Sequence, residues 1–131
     1  MTKEDKNLLI QDLSARLPYK TKIQLTEYSD LTGEKLPSKI KTLDYCMLGK
    51  AQAYCKGFRK DEIKPYLFPL SSMTEEQSME FALLQVNTHK DGFLYVCDCA
   101  NMMKWLLKNH FDIYGLIEKG LAINATNLEI Y

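Results

Sequence analysis

Asn109-His110-Phe111-Asp112 places an imidazole close to a carboxylate, and a His–Asp pair of this kind can carry out acid–base chemistry. The same residues also have a structural interpretation. Asp112 suits the N-cap of a short helix over Ile113–Lys119, and His110 suits a hydrogen bond to the end of the preceding helix. Because no nucleophile with recognisable sequence context accompanies the pair, the structural interpretation is favoured and no catalytic residue is predicted.

The chain contains four cysteines, which could serve as metal ligands, form disulfides or stay as free thiols. Cys97-Asp98-Cys99 lacks the spacer of about two to four residues that is usual between zinc ligands. The N-terminus contains acidic residues and has no apolar stretch, so it does not resemble a signal peptide and indicates a reducing, cytoplasmic location. The sequence therefore predicts no metal, no cofactor and buried free thiols, at Cys46, Cys55, Cys97 and Cys99.

Lysines and arginines are concentrated between residues 35 and 64. Aromatic residues lie among the lysines of this half of the chain, at Tyr45, Tyr54, Phe58 and Tyr66. Aromatic and basic side chains that share a sheet can hold single-stranded nucleic acid. The alternative is that the lysines solvate exposed strands and the aromatics fill the core, and the net charge of zero favours it. The candidate nucleic-acid-binding residues are Lys39, Lys41, Lys56, Arg59 and Lys60.

The first half of the chain must position these lysines, and it begins with an amphipathic helix over Asn7–Leu17. Thr2 and Asp5 suit a capping box at its start, and Pro18 stops it. Tyr19–Tyr28 then alternates apolar and polar residues, as a half-buried strand does.

Lys39–Leu48 is predicted to be a second strand, and Gly49-Lys50 a two-residue turn that leads into a third strand over Ala51–Phe58. Ile63–Leu67 follows as a further strand. Residues 19–70 thus predict a small twisted antiparallel sheet, or a partial barrel that resembles the SH3-like type.

The second half of the chain is predicted to be helical. Thr74 and Gln77 form a capping box for a helix that runs to about Asn87. Its predicted buried stripe is Met79, Ala82, Leu83 and Val86. A second helix, capped by Asp98 or Asn101, runs to about Asn109, the short helix over Ile113–Lys119 follows, and Leu121–Tyr131 returns as a strand or trails along the surface.

The sequence therefore predicts one compact α+β domain over residues 1–131, with a helix-plus-sheet half (1–70) and a helical half (71–131). Residues 1–65 carry a net charge of +4 and residues 66–131 a net charge of −4. No apolar run approaches the roughly 18 residues of a membrane span, so no membrane association is predicted.

Three segments resemble a known family: Leu17-Pro18-Tyr19, the stretch from Lys64 to Glu76, and the stretch from Trp105 to Ala122. Together they are similar to small uncharacterised proteins of gut Bacteroides-type bacteria, their integrated phages and other mobile elements. The resemblance implies no catalytic role, cofactor or partner.

The first functional hypothesis is a non-enzymatic cytoplasmic interaction protein, an accessory factor of a phage or mobile element that binds another protein. The second is a nucleic-acid-binding module that uses the basic segment 35–64. The third is an enzyme with a site near His110 and Asp112.

Overall fold

The structure is a computed structural model that describes residues 1–58, 60–88 and 96–131, and at 85–88 and 96–99 it describes the backbone alone. Its fold is α+β, as the sequence predicts. Short 3₁₀ turns over Leu17–Tyr19 and Leu70–Ser72 precede the first strand and the third helix. The elements are, in order, α1 (Lys3–Arg16), β1 (Lys22–Thr26), β2 (Lys39–Thr42), α2 (Tyr45–Cys55), β3 (Glu62–Leu67), α3 (Glu75–Thr88), α4 (Val96–Lys108) and β4 (Ile123–Asn124).

The four strands in the described part of the chain form one open sheet in the order β2-β1-β3-β4. β1 is antiparallel to both β2 and β3, whereas β4 is parallel to β3 and makes the sheet mixed. Ile23 lies opposite Pro65, and Leu25 lies opposite Ile63, so these residues share one face of the sheet. That face is buried, which confirms the alternation predicted for β1.

α1 and α2 cover the buried face. Leu9 and Leu13 of α1 and Ala51 of α2 pack with Ile23 and Ile63 in one hydrophobic cluster. None of the described helices is both long enough and apolar enough to cross a membrane.

The capping box of α1 is confirmed: Thr2 Oγ1 accepts a hydrogen bond from the Asp5 N–H, and Asp5 Oδ2 accepts one from the Thr2 N–H. The box starts α1 at Lys3, earlier than the predicted start at Asn7. The helix ends at Arg16, just before Pro18, as expected where a proline cannot continue the ladder.

The predicted hairpin at Gly49-Lys50 is wrong, because α2 occupies this stretch. β2 ends at Thr42, and the Asp44 side chain accepts a hydrogen bond from the Met47 N–H at 2.8 Å, which caps the helix. Met47, Ala51 and Cys55 follow at helical spacing and pack against the core. The strands predicted over Lys39–Leu48 and Ala51–Phe58 therefore reduce to the four residues of β2.

The capping box at Thr74 and Gln77 is confirmed, with hydrogen bonds in both directions at the start of α3. The predicted buried stripe is wrong, since Met79 is 68% exposed and Leu83 is 63% exposed. Phe81, on a different face, stacks on Trp105 of α4 and turns that face inward. α4 starts at Val96, so the predicted caps Asp98 and Asn101 lie within the helix.

The helix predicted over Ile113–Lys119 is replaced by turns. Gly115 has a φ of 69°, in the left-handed region, and this interrupts a helical path through the segment. The chain then forms β4 and returns along the sheet, which is one of the two alternatives expected for Leu121–Tyr131.

We expect Gly49→Ala to stabilise the protein by about 0.4–1 kcal/mol, because alanine restricts the unfolded chain and favours a helix interior. Gly49 lies within α2. Apart from the adjacent residues and the backbone of α2 itself, no heavy atom lies within 4 Å of the position that a Cβ would occupy. Urea denaturation measures the change. A hairpin with a type II′ turn requires the opposite sign, so a destabilising effect would contradict the helical assignment.

Candidate functional site

Asp112 is buried, and both oxygens of its carboxylate accept backbone hydrogen bonds. Oδ1 accepts a hydrogen bond from the Leu116 N–H at 2.9 Å, and Oδ2 accepts one from the Ile117 N–H at 3.0 Å. The residue therefore acts as a cap, as the structural interpretation of the sequence requires, although it caps a turn in place of a helix.

His110 is held in a left-handed backbone conformation with a φ of 62°. Its ring stacks on Tyr131, with centroids 3.7 Å apart and planes 11° apart, and Nδ1 lies 3.4 Å from Thr21 Oγ1. Burial, reinforced by the nearby Arg16 charge, lowers the pKa of His110 to about 4. The imidazole is thus neutral at pH 7, and it packs against the aromatic ring of Tyr131 without bonding to Asp112.

Asp12 and Arg16 form an ion pair on α1 that is fully buried, with Arg16 Nε donating to Asp12 Oδ2 at 2.7 Å. Arg16 Nη2 also donates to the Phe111 carbonyl, so the guanidinium reaches the loop that carries His110 and Asp112. Burial raises the pKa of Asp12, and the Arg16 guanidinium opposes that rise. The three groups form a structural polar centre, which holds the 110–112 loop against α1.

The sequence does contain a signal for this buried pair. Leu9, Asp12, Leu13 and Arg16 recur at helical spacing (i, i+3, i+4, i+7) and therefore lie on one face of α1. Two opposite charges one turn apart on an otherwise apolar face indicate a buried ion pair.

The predicted nucleic-acid-binding lysines fall into two separate groups. Lys39 and Lys41 are exposed on β2, which forms one edge of the sheet. Lys56 and Lys60 lie instead near the start of α1, where they line clefts together with Lys6. Arg59 lies outside the described residues.

The first of these clefts, which we call the basic groove, runs between α1 and α2 and has a volume of about 560 Å³. Half-buried Ile10 and Cys55 contribute apolar surface, and Lys3, Lys6 and Lys56 contribute positive charge. The other residues that line it in the described part of the chain are uncharged: Asn7, Gln11 and Gln52. The groove therefore combines apolar surface with positive charge and contains no carboxylate among these residues.

A second cleft of about 450 Å³ adjoins the basic groove and shares Lys6 with it. Tyr28 and Tyr54 line this second cleft, together with Lys60. Lys3 and Lys6 were absent from the sequence-based candidates, because residues far apart in sequence come together only when α1 packs on α2.

The cysteines that can be assessed are free thiols. Cys46 is exposed, which contradicts the expectation of a buried thiol, while Cys55 is half-buried beside the basic groove. Burial raises the pKa of Cys55, and the nearby Lys6 ammonium partly opposes the rise. The side chains of Cys97 and Cys99 lie outside the described residues. Among the described side chains, no group of three or more His, Cys, Asp or Glu lies together as a metal site requires.

Comparison with known proteins found no matching family model, no matching curated protein and no matching solved structure.

We expect the free energy of unfolding to fall as the pH is lowered from about 6.5 to about 4. Over this range His110 becomes protonated in the unfolded state but stays neutral in the folded state. The contribution of the neutral imidazole to the free energy of unfolding is therefore complete above the unfolded-state pKa and is lost as the pH falls below it. After allowance for the ring's partial exposure, the loss amounts to roughly 1–2 kcal/mol.

The matched variant is His110→Asn, since asparagine tolerates the left-handed conformation and does not titrate. Urea denaturation at several pH values should show a smaller loss in this variant than in the wild type. An equal loss in both proteins would contradict the assignment to His110.

Proposed function

We propose that this protein is a non-enzymatic interaction protein that binds an acidic segment of a partner protein in the basic groove. The observation that carries the proposal is the combination of Lys3, Lys6 and Lys56 with the apolar surface of Ile10 and Cys55. An acidic amphipathic segment matches both properties, because its apolar side chains can cover that surface while its carboxylates meet the lysines.

The apolar surface favours a peptide over a phosphate backbone. Burying Ile10 and Cys55 against apolar side chains is favourable, whereas burying them against phosphates brings no such gain. The overall net charge of zero also provides no long-range attraction for a polyanion. The lysines therefore supply orientation and specificity close to the groove.

The non-enzymatic part of the proposal is supported by the engagement of the His–Asp pair. Asp112 accepts two backbone hydrogen bonds, and His110 is stacked under Tyr131. The role as an accessory factor of a phage or mobile element is supported by the sequence resemblance.

The test uses a fluorescein-labelled peptide of about 16 residues, with leucines along one helical face and glutamates elsewhere. We expect Lys3→Gln/Lys6→Gln/Lys56→Gln to weaken its binding roughly tenfold, since each exposed ion pair contributes up to about 1 kcal/mol. Fluorescence anisotropy measures the affinity.

The matched control is Lys35→Gln/Lys39→Gln/Lys41→Gln, which removes the same charge from exposed residues at and near β2. This triple variant should bind the peptide as the wild type does, and a peptide with serine in place of leucine should bind weakly to all three proteins. Equal weakening by the two triple variants, or no binding by the wild type, would overturn the proposal.

Nucleic acid is the second candidate partner, and it is favoured by the cleft that adjoins the basic groove. Tyr28 and Tyr54 lie there beside Lys6 and Lys60, and stacking of bases on tyrosine next to lysine is a common mode of single-strand binding. This candidate uses Lys60 of the sequence-predicted set and leaves out Lys39 and Lys41, which lie on β2.

A labelled oligodeoxythymidine of about 12 nucleotides, in about 50 mM salt, tests the second candidate. We expect Tyr54→Ala and Lys60→Glu each to reduce binding severalfold, and Lys39→Glu/Lys41→Glu to leave it within about twofold. Failure of the wild type to bind the oligonucleotide under these conditions would exclude nucleic acid as the partner.

A further inference from the structure

Tyr131 is 44% exposed, and it lies in a shallow slot formed by the rings of His110 and Phe68 and by the backbone of β1 and β3. Its ring stacks on His110 at 3.7 Å between centroids and lies tilted against Phe68 at 5.7 Å. Its hydroxyl donates to the Tyr66 carbonyl at 2.7 Å and accepts a hydrogen bond from the Lys22 N–H at 2.8 Å. We call this site the tyrosine slot.

The hydroxyl of Tyr131 stands where β1 and β3 would otherwise bond directly. The Leu43 N–H donates to the Thr21 carbonyl. The backbone N–H and C=O groups of odd-numbered residues in β1 therefore point toward β2, and those of even-numbered residues point toward β3. The register that pairs Ile23 with Pro65 ends there, and one more residue along it would place Lys22 opposite Tyr66. The Tyr131 hydroxyl thus bridges the Lys22 N–H of β1 and the Tyr66 carbonyl of β3.

Residues 126–131, which we call the tail, bond to β1 and β3 through the Tyr131 hydroxyl. Closer to β4, the Thr126 N–H donates to Asn124 Oδ1 and the Leu128 N–H donates to the Ala125 carbonyl. Before the tail, the Ala125 N–H donates to the Leu67 carbonyl and fixes the chain beside β3. Residues 126–129 are exposed, and two of them, Asn127 (φ 68°) and Glu129 (φ 50°), adopt left-handed conformations. Such conformations are unfavourable for glutamate, so extension of the tail relieves strain.

We propose that the tyrosine slot is a binding site for a tyrosine side chain, filled here by the chain's own tail, and that the tail of a second copy fills it by exchange. The tail of a second copy fits because it makes the same contacts. Exchange of an identical segment requires a connection that can extend, and the exposed residues 126–129 provide one. Two quantities decide whether the slot holds the chain's own tail or the tail of a second copy. They are the effective concentration of the chain's own tail and the backbone strain that is released when residues 126–129 extend.

This inference is independent of the basic groove, because the residues that line the groove differ from those that contact Tyr131. The test therefore uses different residues. Full-length Tyr131→Ala empties the slot, and a labelled peptide with the sequence of residues 125–131 supplies the tail of a second copy. Fluorescence anisotropy measures binding of this peptide to the variant and to the wild type.

We expect saturable binding to Tyr131→Ala, and at least about tenfold weaker binding to the wild type, whose own tail competes. A peptide with phenylalanine in place of tyrosine should bind about tenfold more weakly to the variant, because it cannot bridge Lys22 and Tyr66. Sedimentation of the wild type should show a dimer fraction that rises with concentration and is absent in Tyr131→Ala.

Equal peptide affinity for the wild type and the variant would overturn the proposal, as would equal binding of the tyrosine and phenylalanine peptides. Absence of peptide binding to a variant that keeps the wild-type circular dichroism would also overturn it. If Tyr131→Ala loses that spectrum, Tyr131→Phe replaces it, since the ring stacking is kept. In that case, tighter binding of the tyrosine peptide to Tyr131→Phe than to the wild type supports the slot, because the variant's own tail competes less well, and equal binding refutes it.

Discussion

Arg16 carries its positive charge into the interior of the protein, and a buried guanidinium is stable only where other groups compensate it. Asp12 provides the opposite charge, and the Phe111 carbonyl accepts a further hydrogen bond. Among the described residues, Asp12 Oδ1 and Arg16 Nη1 have no hydrogen-bond partner, so the compensation is incomplete. Loss of either charge would leave the other buried and alone, which makes the whole arrangement depend on the pair.

The pair contacts the C-terminal half of the chain at the Phe111 carbonyl. Phe111 is joined to Phe68 through backbone hydrogen bonds on either side of it, and Phe68 directly follows β3. Aromatic stacking then extends this connection to α4 through Trp105 and to α3 through Phe81. Because Phe81 stacks on Trp105, the side of α3 that carries Phe81 packs inward and Met79 is left exposed.

Local signals in the sequence account for much of the fold. The capping residues Thr2 and Thr74 and the stop at Pro18 predicted α1 and α3, because each acts through its nearest neighbours. The region of α2 was assigned wrongly because Gly49 suits a turn, while Asp44 and the helical spacing of its core residues carried the opposite signal. Whether this stretch forms a turn or a helix depends on how its side chains pack against the core. A local sequence pattern does not contain that information.

The candidate sites were less predictable, because they join residues from distant parts of the chain. The sequence identified Lys56 and Lys60, but their neighbours Lys3 and Lys6 come from α1. The engagement of His110 with Tyr131 likewise depends on the return of the chain along the sheet. Such neighbours follow from tertiary packing alone.

The two edges of the sheet affect how copies of the chain behave at high concentration. On one side, β2 places Lys39 and Lys41 on either side of the exposed Ile40, and charge on an edge strand discourages pairing with another sheet. On the other side, β4 contributes only two residues, and Pro65 has no N–H with which to extend its ladder along β3. Both edges are therefore poor templates for a further strand. This discourages the sheets of different copies from pairing at their edges and aggregating.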